Sequence, residues 1–146
     1  MVPQILRFET LPDGFPALRA LAEAEGHQFL ERLSLRWRDG RYLDDADAAM
    51  MGAMADGALI AIGAQTFDDY DPHPDCRRIR HFYVAPPFRR SGLGRALAGA
   101  LIQDALDKAP ILHLRATYPA SIAFWDAIGF ERVEGRPDRS HRMVRA

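Results

Sequence analysis

An α/β fold is the class this sequence predicts, and three observations carry it. Apolar runs short enough to be strands alternate with longer runs whose apolar residues recur at helical spacing. A glycine-rich turn joins one strand directly to a helix in Val84-Ala85-Pro86-Pro87-Phe88-Arg89-Arg90-Ser91-Gly92-Leu93-Gly94-Arg95. An Asp56-Gly57 pair between two apolar runs is the strongest short signal for a two-residue hairpin.

Taken in order, Ile5 to Phe8 predicts a first strand, stopped by the turn residues Leu11-Pro12-Asp13-Gly14. Phe15 to Glu25 predicts a helix with Leu18, Leu21 and Ala22 on one face, interrupted at Gly26. A second helical piece carries Phe29, Leu30, Leu33 and Trp37 and stops near Asp39-Gly40. Ala49 to Ala55 and Ala58 to Phe67 read as the two strands of the hairpin, followed by a proline-rich acidic loop from Asp68 to Asp75. The run Ile79 to Val84 is a strand, and Leu93, Leu97 and Leu101 mark the helix after it. Pro110 ends that helix; Ile111 to Ala116 reads as a short buried strand, and Ala120 to Ile128 as a helix closed by Gly129. Glu131 to Glu134 and His141 to Arg145 bracket a turn and read as a closing hairpin. The order is therefore β-α-α-β-β-β-α-β-α-β-β, with no repeat, linker or low-complexity tract.

The turn after Val84 carries chemistry. Two glycines, flanked by Arg89, Arg90 and Arg95, open the helix, so unpaired backbone N–H groups lie beside positive side chains with no Cβ obstructing approach. Such a site binds phosphate. The spacing is neither the G-x-G-x-x-G of a dinucleotide fold nor the G-K-[ST] of a Walker loop. It reads Val84-x-Pro86-x-x-Arg89-x-x-Gly92-x-Gly94, and that string resembles the acyl-CoA pyrophosphate loop of the GNAT superfamily of N-acetyltransferases. Ser121-Ile122-Ala123-Phe124-Trp125-Asp126-Ala127-Ile128-Gly129-Phe130 is similar to the family's A-x-x-F-Y-x-x-x-G-F element, whose helix packs beside the pantetheine arm. Two departures stand out. Trp125 occupies the position where many members carry a tyrosine that protonates the departing thiolate, and no asparagine precedes the helix.

The resemblance covers Ile79 to Phe130 at the level of motifs. It implies one domain over residues 1–146, a GNAT-like mixed twisted sheet with helices on both faces, and transfer of an acetyl group from acetyl-CoA to a primary amine without a covalent enzyme intermediate. It also implies that the backbone near Tyr83 and Val84 polarises the thioester carbonyl. Arg89, Arg90, Ser91, Gly92, Leu93, Gly94 and Arg95 would then hold the pyrophosphate, and Trp125 would border the cofactor. A non-catalytic acyl-CoA-binding domain is the alternative that the Trp125 departure keeps open. A nucleotide-binding module lacks the expected lysine and metal ligands.

Composition agrees with one compact enzyme domain. The chain has 146 residues, 48% of them apolar, enough for a single stable core. Lys plus Arg number 19 against 20 for Asp plus Glu, so the near-neutral balance predicts neither a nucleic-acid nor a membrane partner. A lone cysteine, Cys76, cannot form an internal disulfide, and no Cys/His spacing suggests a metal. Without a signal peptide or membrane-spanning run, a cytoplasmic location is expected. A homodimer remains open.

Two proton-transfer roles need residues. His81, placed by strand alternation on the face of Ile79 and Tyr83, is the first candidate base; His113 and a water chain are others. Tyr118, just after the fifth predicted strand, is the candidate acid, although a thiolate of pKa about 8.5 leaves readily without one. Cys76 lacks an evident activating base for a nucleophilic role. Asp68, Asp69, Asp71 and Asp75 suggest an acceptor, small molecule or protein, that carries positive charge.

Overall fold

One seven-stranded sheet separates two helical layers in the computed structural model, which describes residues 2–146. The elements are β1 (Leu6–Phe8), α1 (Phe15–Ala24), α2 (Phe29–Arg38), α3 (Arg41–Asp44), β2 (Ala49–Ala55), β3 (Ala58–Phe67), β4 (Cys76–Val84), α4 (Leu93–Lys108), β5 (Ile111–Leu114), α5 (Pro119–Ile128), β6 (Glu131–Arg132) and β7 (His141–Val144). The order across the sheet is β1-β2-β3-β4-β5-β7-β6. Only β4 and β5 pair in parallel, because α4 carries the chain back between them. This is the predicted order of elements with one addition, the single helical turn α3.

The hairpin forms as its dipeptide requires. Asp56 and Gly57 both take positive φ, 50° and 81°, the pattern of a primed turn whose twist matches that of paired strands. It sets β2 against β3 from Ala49↔Gln65 to Ala55↔Ala58. Alternation then divides the core. Ala49, Met51, Ala53, Ile79, Val84, Leu112 and Leu114 face Leu93, Leu97, Leu101 and Ala105 of α4, with Trp125 and Phe130 closing that layer. Met50, Ile62, Tyr83 and Ala85 face Phe15, Leu18 and Ala22 of α1 and Leu30 and Leu33 of α2. Leu21, read from periodicity as part of the α1 apolar face, is instead 45% exposed, because the face that meets the sheet is made by Phe15, Leu18 and Ala22.

In the middle of β4 the alternation breaks. Ala64 pairs with Arg80 and Ile62 with Tyr83, so Gly63 stands opposite two residues, His81 and Phe82, and His81 adopts φ 57°. The bulge reverses the faces of everything after it. Ile79 therefore shares the α4 face with Phe82 and Val84, while His81 and Tyr83 lie on the α1–α2 face. The sequence expectation, with Ile79, His81 and Tyr83 together, assumed an unbroken strand.

Leu101 is fully buried where α4 crosses β3, and its Cδ1 lies so close to Gly63 that a Cβ there would sit at 2.8 Å. Leu101→Ala should therefore lower the unfolding free energy by about 3 kcal/mol, read from the urea midpoint at unchanged slope. A change below about 1 kcal/mol would mean that the α4 layer is not tightly packed.

Candidate functional site

A partly unpaired interior strand makes the site. β4 pairs with β3 along most of its length, but with β5 only at Cys76, Arg77 and Arg78. From Ile79 onward the two strands diverge, leaving an opening in the sheet. Ala85 N–H donates to Ile60 O at 2.8 Å, so ladder alternation turns the polar groups of Val84 away from β3 and into that opening. The same alternation turns Tyr83 towards its partner Ile62 on β3. Of the two backbone positions expected from the sequence, Val84 meets the opening and Tyr83 contributes its ring and hydroxyl on the α1–α2 side.

The loop that follows is an anion cradle. After the 3₁₀ turn Pro86–Phe88, Arg90 and Gly92 both adopt positive φ, 60° and 89°, and α4 starts at Leu93. Among the described residues, none of the N–H groups from Arg90 to Arg95 donates to a backbone acceptor outside the helix, and the first amides of α4 have no partner within it. Successive free amides at a helix start form a concave positive site. The exposed Arg90 and Arg95 have no side-chain partner among the described residues, and Ser91 Oγ donates to Phe88 O at 2.6 Å. A Cβ on Gly94 would lie 3.4 Å from Phe124 and 3.7 Å from Val84, so the glycine keeps the floor of the cradle low.

Several expected site residues stand elsewhere. Arg89 does not present its side chain or amide to the cradle: its N–H donates to Pro86 O, its Nε to Val84 O at 2.9 Å, and its two Nη atoms to Glu25 at 3.0 and 2.7 Å. Its guanidinium also lies over the Tyr83 ring, 5.3 Å from the centroid. Leu93 offers only its amide, its side chain being fully buried under the sheet. Trp125 is a core residue, 5% exposed and stacked edge-on with Phe82, Phe124 and Phe130. Its neighbour Phe124 borders Gly94 and Val84 instead. Helical spacing rotates adjacent residues by 100°, so one of the pair must face the core, and the larger indole does.

His81 does not reach the opening either. Its Nδ1 lies 2.9 Å from Phe29 O, and since a carbonyl only accepts, Nδ1 carries the proton. Nε2 is buried without a partner, and burial pushes the group down to about 3, so the imidazole is neutral and enclosed under α2. His113 is 3% exposed, with Nδ1 2.8 Å from Asp68 Oδ2 and Nε2 3.0 Å from Arg139 Nη1. Both histidines are held by the fold.

A different constellation stands at the mouth. The loop between α1 and α2 brings Glu25 and His27 over the opening. The Glu25 carboxylate accepts from the Tyr83 hydroxyl and from Arg89; these contacts, Arg89 first, hold its carboxyl down at about 2. His27 packs edge-on against Tyr118 at 4.8 Å between centroids and lies 6.2 Å from Tyr83. Tyr118 is half exposed at the start of α5. Tyr83 and Arg89 lie 58 and 64 residues from Glu25, so only the fold discloses their meeting.

The acidic loop is neutralised from within. Asp68 is fully buried against His113 and Arg78; Asp69 is shared by Arg36, Arg41 and Arg80 at 3.2, 2.9 and 3.3 Å; Asp71 takes Arg139 at 3.0 Å. Asp75 alone is left with only His73 beside it. Asp71, Cys76 and His113 do converge to within 4.8 Å, a grouping invisible in the linear spacing. Arg139 Nη1 fills it, 3.0 Å from Asp71 and 2.9 Å from His113 Nδ1, so a guanidinium already occupies the cation position. Burial, with Asp71 beside it, pushes the Cys76 thiol up to about 11 and leaves it inert as a nucleophile.

A family model described as the acetyltransferase (GNAT) family matches residues 13–130. The chain belongs to the GNAT family of acetyltransferases. A crystal structure of a candidate acetyltransferase from Exiguobacterium sp. 255-15 superposes with a TM-score of 0.86 at 25% identity, covering 99% of this chain and 94% of that one. The GNAT-family N-acetyltransferase YhbS of Escherichia coli, solved in complex with CoA, has the same fold with a TM-score of 0.73 at 17% identity, over 100% and 83% of the two chains. An uncharacterised protein of Mycobacterium leprae is 30% identical over 100 residues, 62% of this chain. The matched segment spans 28% of that relative's length. Family and fold agree: the matching family is one of acetyltransferases, and the architecture is the one its solved members share. Among the described residues, no helix is long and apolar enough to cross a membrane.

Two outcomes follow from this geometry. CoA and acetyl-CoA should raise the melting temperature, with ligand at a hundred times its Kd adding about 2.7 kcal/mol, whereas ATP and NAD should not. In Gly92→Val the shift should vanish, since φ 89° and a Cβ 3.3 Å from Val2 disallow a branched side chain. An equal shift with ATP would contradict a CoA-selective cradle. The second concerns Glu25, whose folded carboxyl at about 2 lies below its ordinary 4.5. The stabilisation from its Arg89 and Tyr83 contacts is present above the ordinary value and is lost as pH falls through the folded one. The difference in urea midpoint between the native chain and Glu25→Gln should therefore be constant near neutrality and shrink between about pH 4.5 and pH 2. A difference independent of pH would mean the carboxylate's charge is not what holds the loop.

Proposed function

We propose that this chain catalyses direct transfer of the acetyl group of acetyl-CoA to a primary amine, with proton transfers at the mouth of the β4–β5 opening. The observation that carries the reading is the continuity of two features: a row of free amides from Arg90 to Arg95, leading into an interior strand edge on which Val84 is unpaired with β5. A phosphate-bearing ligand with a long amide-containing arm matches both at once. When bound, acetyl-CoA supplies an activated acyl carbon and a thiol leaving group of intrinsic pKa about 8.5. The lone cysteine is free and buried, which suits a reducing compartment, and we place the reaction in the cytoplasm.

The protein's own residues then have distinct tasks. The Arg90–Arg95 amides and the Arg90 and Arg95 side chains bind the pyrophosphate. The unpaired edge of β4 seats the pantetheine arm, and Arg89, clamped between Glu25 and Val84 O, fixes the α1–α2 loop over the opening. His27 is placed to take the proton lost by the amine as nitrogen bonds to the acyl carbon. Tyr118, in contact with that imidazole, is placed to give a proton to sulfur as the carbon–sulfur bond breaks. His81, neutral and enclosed, takes no part.

Steady-state release of free CoA over a panel of amines tests the reading. His27→Gln should lower kcat/KM about a hundredfold with CoA binding intact, the usual size of a general-base effect. Tyr118→Phe should cost less than about tenfold, since thiolate is already a good leaving group. His81→Gln should change stability and leave the pH profile in place. A loss confined to His81→Gln would return the base to β4. CoA binding with no amine-dependent release under any condition would make the chain a binding domain.

A further inference from the structure

The acceptor face of β4 carries more positive charge than its acids neutralise. By alternation Arg78 and Arg80 point to the α1–α2 side, and so do His113, cross-strand from Arg78, and Arg115, two residues further along β5's path. Arg80, Arg36 and Arg41 share one carboxylate, Asp69. Arg80 is pushed down to about 10, by burial first and by Arg36 next, as expected for a cation among cations. Arg78 is 5% exposed; its Nη2 donates to Asp138 O, but its Nη1 has no hydrogen-bond partner and lies 3.6 Å from Asp68 Oδ1, too far for one. Asp68 is itself committed to His113. Arg115 is exposed and has no hydrogen bond or ion pair among the described residues; burial first, and Arg115 to a smaller degree, lower the basicity of Arg78 against the opposing Asp68 and Asp138 carboxylates. The ring of Tyr70, 57% exposed, lies over Arg78 at 4.7 Å and Arg80 at 5.9 Å, a cover rather than a wall.

These groups stand beside the place where β4 and β5 part. Arg78 is the last β4 residue paired with β5, and Arg115 lies just beyond the end of β5, so the two guanidiniums flank the start of the opening. Phe82, level with the widening gap, is about 13 Å along an extended strand from Arg78, less the contraction of the bulge.

Resting on the transferase reading above, we propose that the acceptor is a small primary amine bearing an anionic group, carboxylate or phosphonate, held by Arg115 and Arg78 beneath Tyr70. Arg78 has Asp68 as an ion-pair partner at 3.6 Å, yet its Nη1 still lacks a hydrogen-bond acceptor, a costly feature for a buried guanidinium, and a planar fork matches both oxyanion types. The acidic loop, expected to draw in a cation, instead supplies the counter-charges that hold the arginines in place.

The test compares four amines of similar size: 3-aminopropanol, β-alanine, 3-aminopropylphosphonate and 1,3-diaminopropane. CoA release should be at least about tenfold more efficient, in kcat/KM, with an anionic member than with the alcohol or the diamine, the range expected of a hydrogen bond to a charged group. The β-alanine and phosphonate arms separate carboxylate from phosphonate preference. Arg115→Gln should remove most of that preference through KM, and Arg115→Glu should turn it towards the diamine. Arg38→Gln, which removes an exposed charge at the end of α2 with no ion pair among the described residues, should leave it as it was. Arg115 has no partner to lose, so its variants test recognition rather than folding. Preference for the diamine in the native chain, or a preference for anions untouched by Arg115→Glu, would overturn the proposal. CoA release from no amine at all would instead overturn the transferase reading on which it rests.

Discussion

An interior strand paired on one side and largely unpaired on the other is a constraint that the rest of this molecule is arranged to satisfy. Backbone N–H and C=O groups inside a sheet must find partners, and leaving them without any costs about as much as losing a hydrogen bond each. β4 meets β5 over three residues and then parts from it, so the edge around Val84 is satisfied by a side chain or by a ligand. Arg89 Nε serves Val84 O in this structure, and the same arginine pins Glu25 and thus the α1–α2 loop. The unpaired edge is therefore linked to the α1–α2 loop. One guanidinium makes the connection.

The bulge at His81 is the second device. It costs a non-glycine residue at positive φ and an imidazole nitrogen without a partner, both unfavourable by a kcal/mol or more. In return it reverses the strand's faces part-way along. Phe82 and Val84 then join the α4 layer, while Tyr83 is delivered to the opposite side, against Glu25. Without the bulge, Tyr83 would lie in the α4 core and the mouth of the opening would lose its floor. Irregularities of this kind are common beside active sites, where they redirect a side chain that the pleat would send the wrong way.

Charge follows a similar logic. The α1–α2 side of the sheet is populated by arginines brought from α2, α3, β4 and the β6–β7 loop, and the Asp68–Asp71 segment is folded inward to meet them. Buried guanidiniums need carboxylates near, and loop aspartates are the flexible partners available. What reads as an acidic loop in the chain becomes the counter-ion layer of the arginines it folds against. The same network encloses Cys76 and His113 and removes both from chemistry.

Local signals in the sequence determined much of this protein. The Asp56-Gly57 turn, the period-four leucines of α4, the prolines and glycines that end elements, and the loop from Val84 to Arg95 are each decided by residues within a few positions of one another, so they are legible without a fold. The GNAT family and the anion cradle followed from them. Tertiary structure alone decided which side chains face the opening. A one-residue bulge reversed the strand carrying His81 and Tyr83; helical rotation sent Trp125 inward and Phe124 outward; and Arg89 turned from the cradle to a glutamate 64 residues away. Linear spacing fixes local backbone geometry, but which face a side chain presents, and what charge it meets there, depends on register and on partners distant in the chain.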